Sequence, residues 1–226
     1  MSLTPATIPP DPERPVDPER PGPERPVGRE RPGDPQRQLS LFGVEAADPS
    51  PADLAGLLAG PGRISRMGGT ARVSVDVDAA WRVHVLVAEF ALRGLAATWA
   101  PTAEGQLAVH TAYTSALAPL GAAWLRGGGQ RPPARFFLSG PRLRLWVAAA
   151  GSVEPPGFLL RLGPTDEGCW EAAGAALAAV GLPGALLGPR AGGPGYRITG
   201  RRRLARLAEL VGDRPAAAPR PAWPAV

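Results

Sequence analysis

The chain has no lysine and no asparagine, one cysteine and two histidines in 226 residues. Each scarcity removes a class of function. Without lysine there is no phosphate-cradling loop of the Gly-x-x-x-x-Gly-Lys kind. Cys169 alone can form neither an internal disulfide nor a cysteine-based metal site. His84 and His110 come without a nucleophile-elbow motif, so a Ser-His-acid triad has no frame, and both read as surface or packed side chains. Met1 to Ile8 lacks the charged and apolar regions of a signal peptide. The longest uncharged run, Ala172 to Pro189, is mostly Ala and Gly and is broken by Pro183, which argues against a membrane span. The expectation is a cytoplasmic, reducing location, close to the nucleoid. Lysine and asparagine both need A-rich codons. Their absence therefore points to a GC-rich genome and discounts the Arg, Ala, Gly and Pro bias as a sign of function.

The residues that are present divide unevenly. All 25 basic residues are arginine, set against 20 acids for a net charge of +5, a modest excess compatible with nucleic acid. The composition is 44% hydrophobic, enough for one sizeable core or two small ones. Residues 1–37 repeat Pro-Glu-Arg-Pro at 12–15, 18–21 and 23–26, with a degenerate copy at 29–32. Alternating charge, helix-blocking proline and little to bury predict an extended disordered arm. Residues 38–50 form an apolar peptide and a linker, and 213–226 is a Pro/Ala-rich tail expected to be loose, with Trp223 exposed as a possible second anchor.

Between the tails the pattern of elements recurs. In the first unit, 51–126, a short helix from Pro51 precedes strict alternation over Ala71 to Val77, a half-buried strand. Asp78 is placed to cap a helix over 79–93 that carries Val83, Leu86, Val87 and Phe90 on one face. A hairpin over 95–99 and 105–110 follows, then a helix over 112–125 with Leu117, Leu120 and Trp124. A Gly/Pro-rich linker covers 127–140. The second unit, 141–212, repeats the order. It has a helix over 142–150, a strand over 158–162, and a helix from 166 capped by Thr165 and favoured by Asp166 and Glu167 at its positive end. A hairpin over 185–187 and 196–199 and a helix over 200–211 complete it. The fold class is α+β, two tandem units in a monomer with an internal pseudo-two-fold axis.

Two resemblances follow from these residues. Gln38-Leu39-Ser40-Leu41-Phe42 resembles, at all five positions, the motif by which bacterial replication and repair proteins bind the β sliding clamp. The resemblance implies Gln38 in a small polar pocket and Leu41 and Phe42 in an apolar one on the clamp. The other reading is a hydrophobic lead-in that folds back on the domain's own first helix. Over about 51–212, the repeated order is similar to the single-chain LAGLIDADG homing endonucleases. Leu54 to Gly62 and Leu143 to Gly151 stand as the signature helices, and the first keeps Leu-Ala-Gly-Leu. In that family these helices pack against each other, a role for which Ala55, Gly56, Ala59, Ala148 and Ala149 are small enough. The second unit looks closer to the N-terminal domain of the WhiA sporulation regulators. The likeness lies in the run 143–153 and the helix over 202–212, but no helix-turn-helix follows Gly212.

The family places one acid just before the last Gly of each signature, where the two acids hold divalent metal. Pro61 and Ala150 match those positions, and neither can bind a metal. Glu154 lies off the pattern and reads as a solvated loop acid. The expectation is therefore no catalytic residue, no metal, no cofactor and no nuclease activity. Double-stranded DNA would be met by the open strand faces: Arg72, Ser74, Gln106 and His110 in the first unit, Arg161 and Arg197 in the second. Arginine can grip phosphate or read guanine, and glutamine can read adenine. Asp76 shares the Arg72 face, and Arg201, Arg202, Arg203 and Arg206 crowd the start of the last helix, where the dipole disfavours cations. The combined expectation is a non-catalytic clamp-binding accessory protein of replication or repair. A WhiA-like regulator and a clamp-competing adaptor that touches no DNA are the alternatives.

Overall fold

The computed structural model describes residues 48–163 and 167–225. The arm, the clamp-like peptide 38–42, and the proposed helix cap at Thr165 and Asp166 lie outside the described residues. A capping box opens the chain: the Ser50 side chain accepts from Ala52 N–H, and Asp53 accepts from Ser50 N–H. A 3-10 turn, Pro51–Leu54, runs into α1, Ala55–Ala59. The strands β1, Arg63–Met67, and β2, Thr70–Val77, follow, then α2, Ala80–Leu92, β3, Ala97–Pro101, β4, Leu107–Thr111, and α3, Ala118–Trp124. A small hairpin, β5, Leu125–Arg126, with β6, Gly129–Gln130, lies within the expected linker. The second unit runs α4, Gly140–Ala150, β7, Gly151–Glu154, β8, Gly157–Arg161, α5, Glu167–Ala179, β9, Ala185–Leu187, β10, Gly195–Thr199, and α6, Arg201–Val211.

Each unit forms a four-stranded antiparallel sheet, β1-β2-β4-β3 and β7-β8-β10-β9. The shared order marks an internal duplication of architecture. Each sheet holds one strand that the sequence pattern did not reveal. β1 offers a single buried residue, Ile64, so its periodicity is too weak to read. β7 leaves α4 without a turn, because Gly151 is both the helix cap and the first strand residue. Asp78 also differs from expectation. Ala79 takes the N-cap position of α2, and Asp78 instead pairs with Arg82 one turn on, at 2.7 Å. The third helix is shorter than expected because Thr114 caps a separate 3-10 turn, Ser115–Leu117, ahead of it.

The core lies between each sheet and the helices covering one of its faces. Val73, Val75 and Val77 point into it with Leu86 and Phe90 of α2, and Phe158, Leu160 and Ile198 do so in the second unit. At the centre α1 packs on α4. Ala55, Ala59, Ala148 and Ala149 are all buried there, and a Cβ on Gly56 would overlap the Arg142 carbonyl of α4. The small residues thus let two backbones approach where larger ones would hold them apart.

Charged side chains cross this seam as well. Arg93 is buried between Asp53, at 3.1 Å, and Glu89, at 2.8 Å, while Glu89 also takes Arg144 of α4 at 2.6 Å. Arg144 in turn donates to the carbonyls of Val211 and Asp213. Gln130 fastens the linker hairpin to the other side. Its amide nitrogen donates to the Leu58 and Gly62 carbonyls, and its amide oxygen accepts from Ile64 N–H. Cys169 is buried in α5, with its Sγ 3.5 Å from the Gln130 carbonyl oxygen.

The C-terminal segment differs from the loose tail expected. Trp223 is only 2% exposed, its indole N–H donates to the Gly212 carbonyl, and its ring lies under the Arg144 guanidinium. Ala218 is buried too. A large aromatic has more to gain from burial against α4 and α6 than from solvent, so it anchors the tail to the fold rather than to a partner. Among the described residues no helix is long and apolar enough to cross a membrane.

Candidate nucleic-acid interface

Strand register decides which side chains share an open face. In the first sheet Arg63 pairs with Ser74, Ser74 with His110, and His110 with Thr98. That row runs across all four strands, and Thr98 Oγ1 lies 2.9 Å from His110 Nε2. Arg72 sits beside it, opposite Ser65. The expected trio of Arg72, Ser74 and His110 therefore meets on one face, and Arg63, Ser65 and Thr98 join it. These three were missed because they belong to β1, which has no readable alternation, and to the exposed edge strand β3.

Arg72 is held rather than loose. Its guanidinium stacks 4.8 Å over the Tyr113 ring, and the Tyr113 hydroxyl lies 3.1 Å from Ser65 Oγ. Its Nε is buried without a hydrogen-bond partner among the described residues. Neither Arg63 nor Arg72 is ion-paired among the described residues. Their charge is available to an anion.

The second sheet brings Arg161 and Arg197 to its open face, but with a partner. Glu154 Oε1 takes Arg161 at 3.1 Å, and Glu154 Oε2 takes Arg197 at 3.2 Å. This corrects the reading of Glu154 as a solvated loop acid. β7 carries it onto the sheet, where two guanidiniums draw it in. Arg161 also donates to the Gly192 carbonyl. Leu159 registers with Ser152 and Arg197 on this same face and is fully buried, so the face is covered by its own side chains.

Arg201 and Arg202 are not on either sheet. They are exposed in the first turn of α6, which packs in the helix layer against α4. Arg203 donates to the Thr199 carbonyl and Arg206 pairs with Glu209. His84 is exposed on α2, away from His110.

The two signature helices end at one cleft of about 330 Å³ between the units. Pro61 and Ala150 line it, as do Gln106 from the first unit and Arg161 from the second. Arg82 controls its wall. The side chain is buried, and its guanidinium donates to the carbonyls of Val147, Ala148 and Gly151 at the C-terminus of α4. A helix C-terminus leaves carbonyls unpaired and carries partial negative charge, so a cation is favoured there. The divalent metal that the resembled family holds at these helix ends does not fit these residues. Proline and alanine supply no ligand atom, and a fixed guanidinium already satisfies the nearby carbonyls. The cleft carboxylates of Asp76, Asp78 and Glu104 do not replace the missing acids. Among the described residues no three His, Cys, Asp or Glu lie close enough to hold a metal ion. Arg82 was missed in the sequence, although its spacing of four from Asp78 was a usable sign.

The fold is similar to a solved structure of the homing endonuclease I-WcaI bound to its DNA recognition sequence. The TM-score is 0.51 at 12% identity, covering 82% of this chain and 90% of that one. At such identity the likeness concerns the fold alone. The chain has a two-repeat LAGLIDADG-like α+β fold. No family model matches the chain, and no curated protein matches it in sequence.

Proposed function

We propose that this chain is a non-nucleolytic accessory protein of bacterial DNA replication or repair. In this reading it contacts double-stranded DNA mainly through its first sheet and is carried to DNA by a sliding-clamp peptide at residues 38–42. The observation that carries the reading is Arg82. Its guanidinium occupies the carbonyl ring at the end of α4, beside the positions where the resembled nucleases keep their metal-binding acids. A DNA-binding fold altered there keeps its reason to touch DNA and loses its means of hydrolysis.

Both halves of the proposal are weak alone and useful together. The open face of the first sheet offers few phosphate contacts, so its intrinsic affinity is modest. Tethering to a clamp that encircles DNA raises the local concentration and makes modest affinity sufficient. The experiment is clamp capture by the full chain on primed DNA with magnesium present. The native chain is expected to bind the clamp and leave the DNA uncut. Leu41→Ala with Phe42→Ala should abolish capture. Undiminished capture by that double variant would remove the peptide from the proposal, and magnesium-dependent cutting would remove the non-nucleolytic half.

A second reading has its own observation. Glu154 neutralises both arginines of the second sheet, so half of the DNA saddle carries little free charge. That favours an adaptor that occupies the clamp without gripping DNA. It predicts no duplex binding even at low salt.

A further inference from the structure

An apolar groove opens beside the first described residues, on the side of α3, and the DNA reading makes no use of it. Its volume is about 370 Å³, inside the ~300–1,000 Å³ range of binding pockets. Leu120, Ala123 and Trp124 line one wall, and Pro133, Phe136 and Phe137 line the other. Ser50, Pro51 and Ala52 form the lip. Trp124 and Phe136 meet edge to face at 5.3 Å, so the wall is rigid. Phe137 is 57% exposed, with the Arg142 guanidinium 4.0 Å over its ring. Burial lowers the Arg142 pKa from its usual value, against the opposing pull of Asp53. An exposed phenylalanine on an apolar trough with Arg135 and Arg142 along it has the chemistry of a peptide site.

We propose that this groove receives the chain's own residues 38–42, with Leu41 and Phe42 in the trough and Glu45 facing Arg135 and Arg142, so that groove and clamp compete for one peptide. The proposal rests on the clamp reading of that peptide. Chain length favours this occupant. The lip begins at Ser50, eight residues after Phe42, a reach of up to about 29 Å for extended chain. Charge favours it too. Between Phe42 and Asp53 the only charged residues are Glu45 and Asp48, both acidic, whereas the groove carries two arginines. So does tethering, because a short linker holds the peptide at an effective concentration on the order of millimolar. An intrinsically weak contact is then enough to occupy the groove. The same Leu and Phe side chains cannot enter the groove and a clamp pocket at once, so cis docking lowers clamp affinity until the clamp outcompetes it.

The test uses the full chain with Cys169→Ala, Gly43→Cys and Ala116→Cys. Residue 43 lies just outside the peptide, and Ala116 is an exposed residue on the groove wall. Mild oxidation should cross-link the monomer at least tenfold faster than a control pair of Gly43→Cys with Ala185→Cys, whose second cysteine lies on the distant second sheet. Cross-linking should weaken capture of the sliding clamp at least tenfold, and reduction should restore it. Phe137→Glu, on an exposed side chain that the core does not need, should raise the clamp affinity of the uncross-linked chain several-fold. Cross-linking no faster than the control, or only between two copies, overturns the proposal. So does a clamp affinity unchanged by both oxidation and Phe137→Glu. A cross-linked monomer that binds no clamp in either redox state overturns the competition and the clamp reading together, while supporting occupation of the groove.

Discussion

The two sheets share a strand order and differ in the fate of their arginines. On the first, Arg63 and Arg72 stand without ion pairs beside Ser74, His110 and Thr98. On the second, Arg161 and Arg197 converge on Glu154, and buried Leu159 lies on the same face. A duplicated fold has thus kept one open face and closed the other with its own charges. Basic residues on a sheet indicate a nucleic-acid surface only after their partners are counted, because a carboxylate between two guanidiniums removes most of the field that a phosphate would feel.

The comparison breaks outright if the two units are separated. Gly56 holds α1 against α4, and any Cβ there would overlap the Arg142 carbonyl. Backbone on both sides leaves no rotamer to relieve the overlap. Gly56→Ala should cost more than the ~1–3 kcal/mol usual for over-packing and leave little folded protein. Urea unfolding followed by tryptophan fluorescence measures this. Gly69→Ala is the control, because nothing lies within 4 Å of its added methyl.

The buried charges come next. Glu89 serves Arg93 and Arg144 at once and is 8% exposed, so Glu89→Ala strands two guanidiniums at the seam between the units. Removing one partner from such a group costs about 3–5 kcal/mol. Arg93→Met made together with Glu89→Leu should recover part of the loss, because a fully apolar replacement leaves fewer charges unpaired. A lone Glu89→Ala that unfolds at the native midpoint would mean the seam is held by helix packing alone.

How far these features could be read from sequence follows the same physics. Alternation over 71–77 marks β2 because its valines alternate with polar residues along a half-buried strand, and the apolar stripe of α2 is equally plain. The close helix crossing is legible because Ala55, Gly56 and Ala59 have no size to spare. β1 and β7 were hidden because an edge strand needs little apolar burial and β7 needs no turn to begin. Arg72, Ser74 and His110 could be placed on one face by period alone. The pairing of Glu154 with Arg161 and Arg197 could not, since it depends on register between strands far apart in the chain. Trp223 was misjudged for a related reason. A Pro/Ala-rich context says nothing of the Arg144 guanidinium and Gly212 carbonyl that await it.

On DNA the expected effects are smaller in energy and easier to separate. Arg63→Ala with Arg72→Ala should weaken binding to a duplex and flatten the slope of log affinity against log salt by about two, roughly one for each lost phosphate contact. Arg201→Ala with Arg202→Ala should change the slope less, because those residues lie off the sheet faces in the helix layer. Anisotropy titrations with one duplex at several salt concentrations distinguish the two pairs. Equal slopes would shift the interface from the first sheet to the start of α6.

The smallest change sharpens the comparison most. Glu154→Gln keeps the side chain's shape and removes the charge that holds Arg161 and Arg197. These side chains are partly exposed, at 49% and 35%, so the pairs are screened and their loss should cost less than about 1 kcal/mol of stability. The effect on DNA should run the other way. Two freed guanidiniums would join the open face, tightening duplex binding and steepening the salt slope by about one. If Glu154→Gln leaves both affinity and slope unchanged, the second sheet lies away from DNA whatever its charge. The closed face would then serve to cover Leu159, and the first sheet alone would carry the interface.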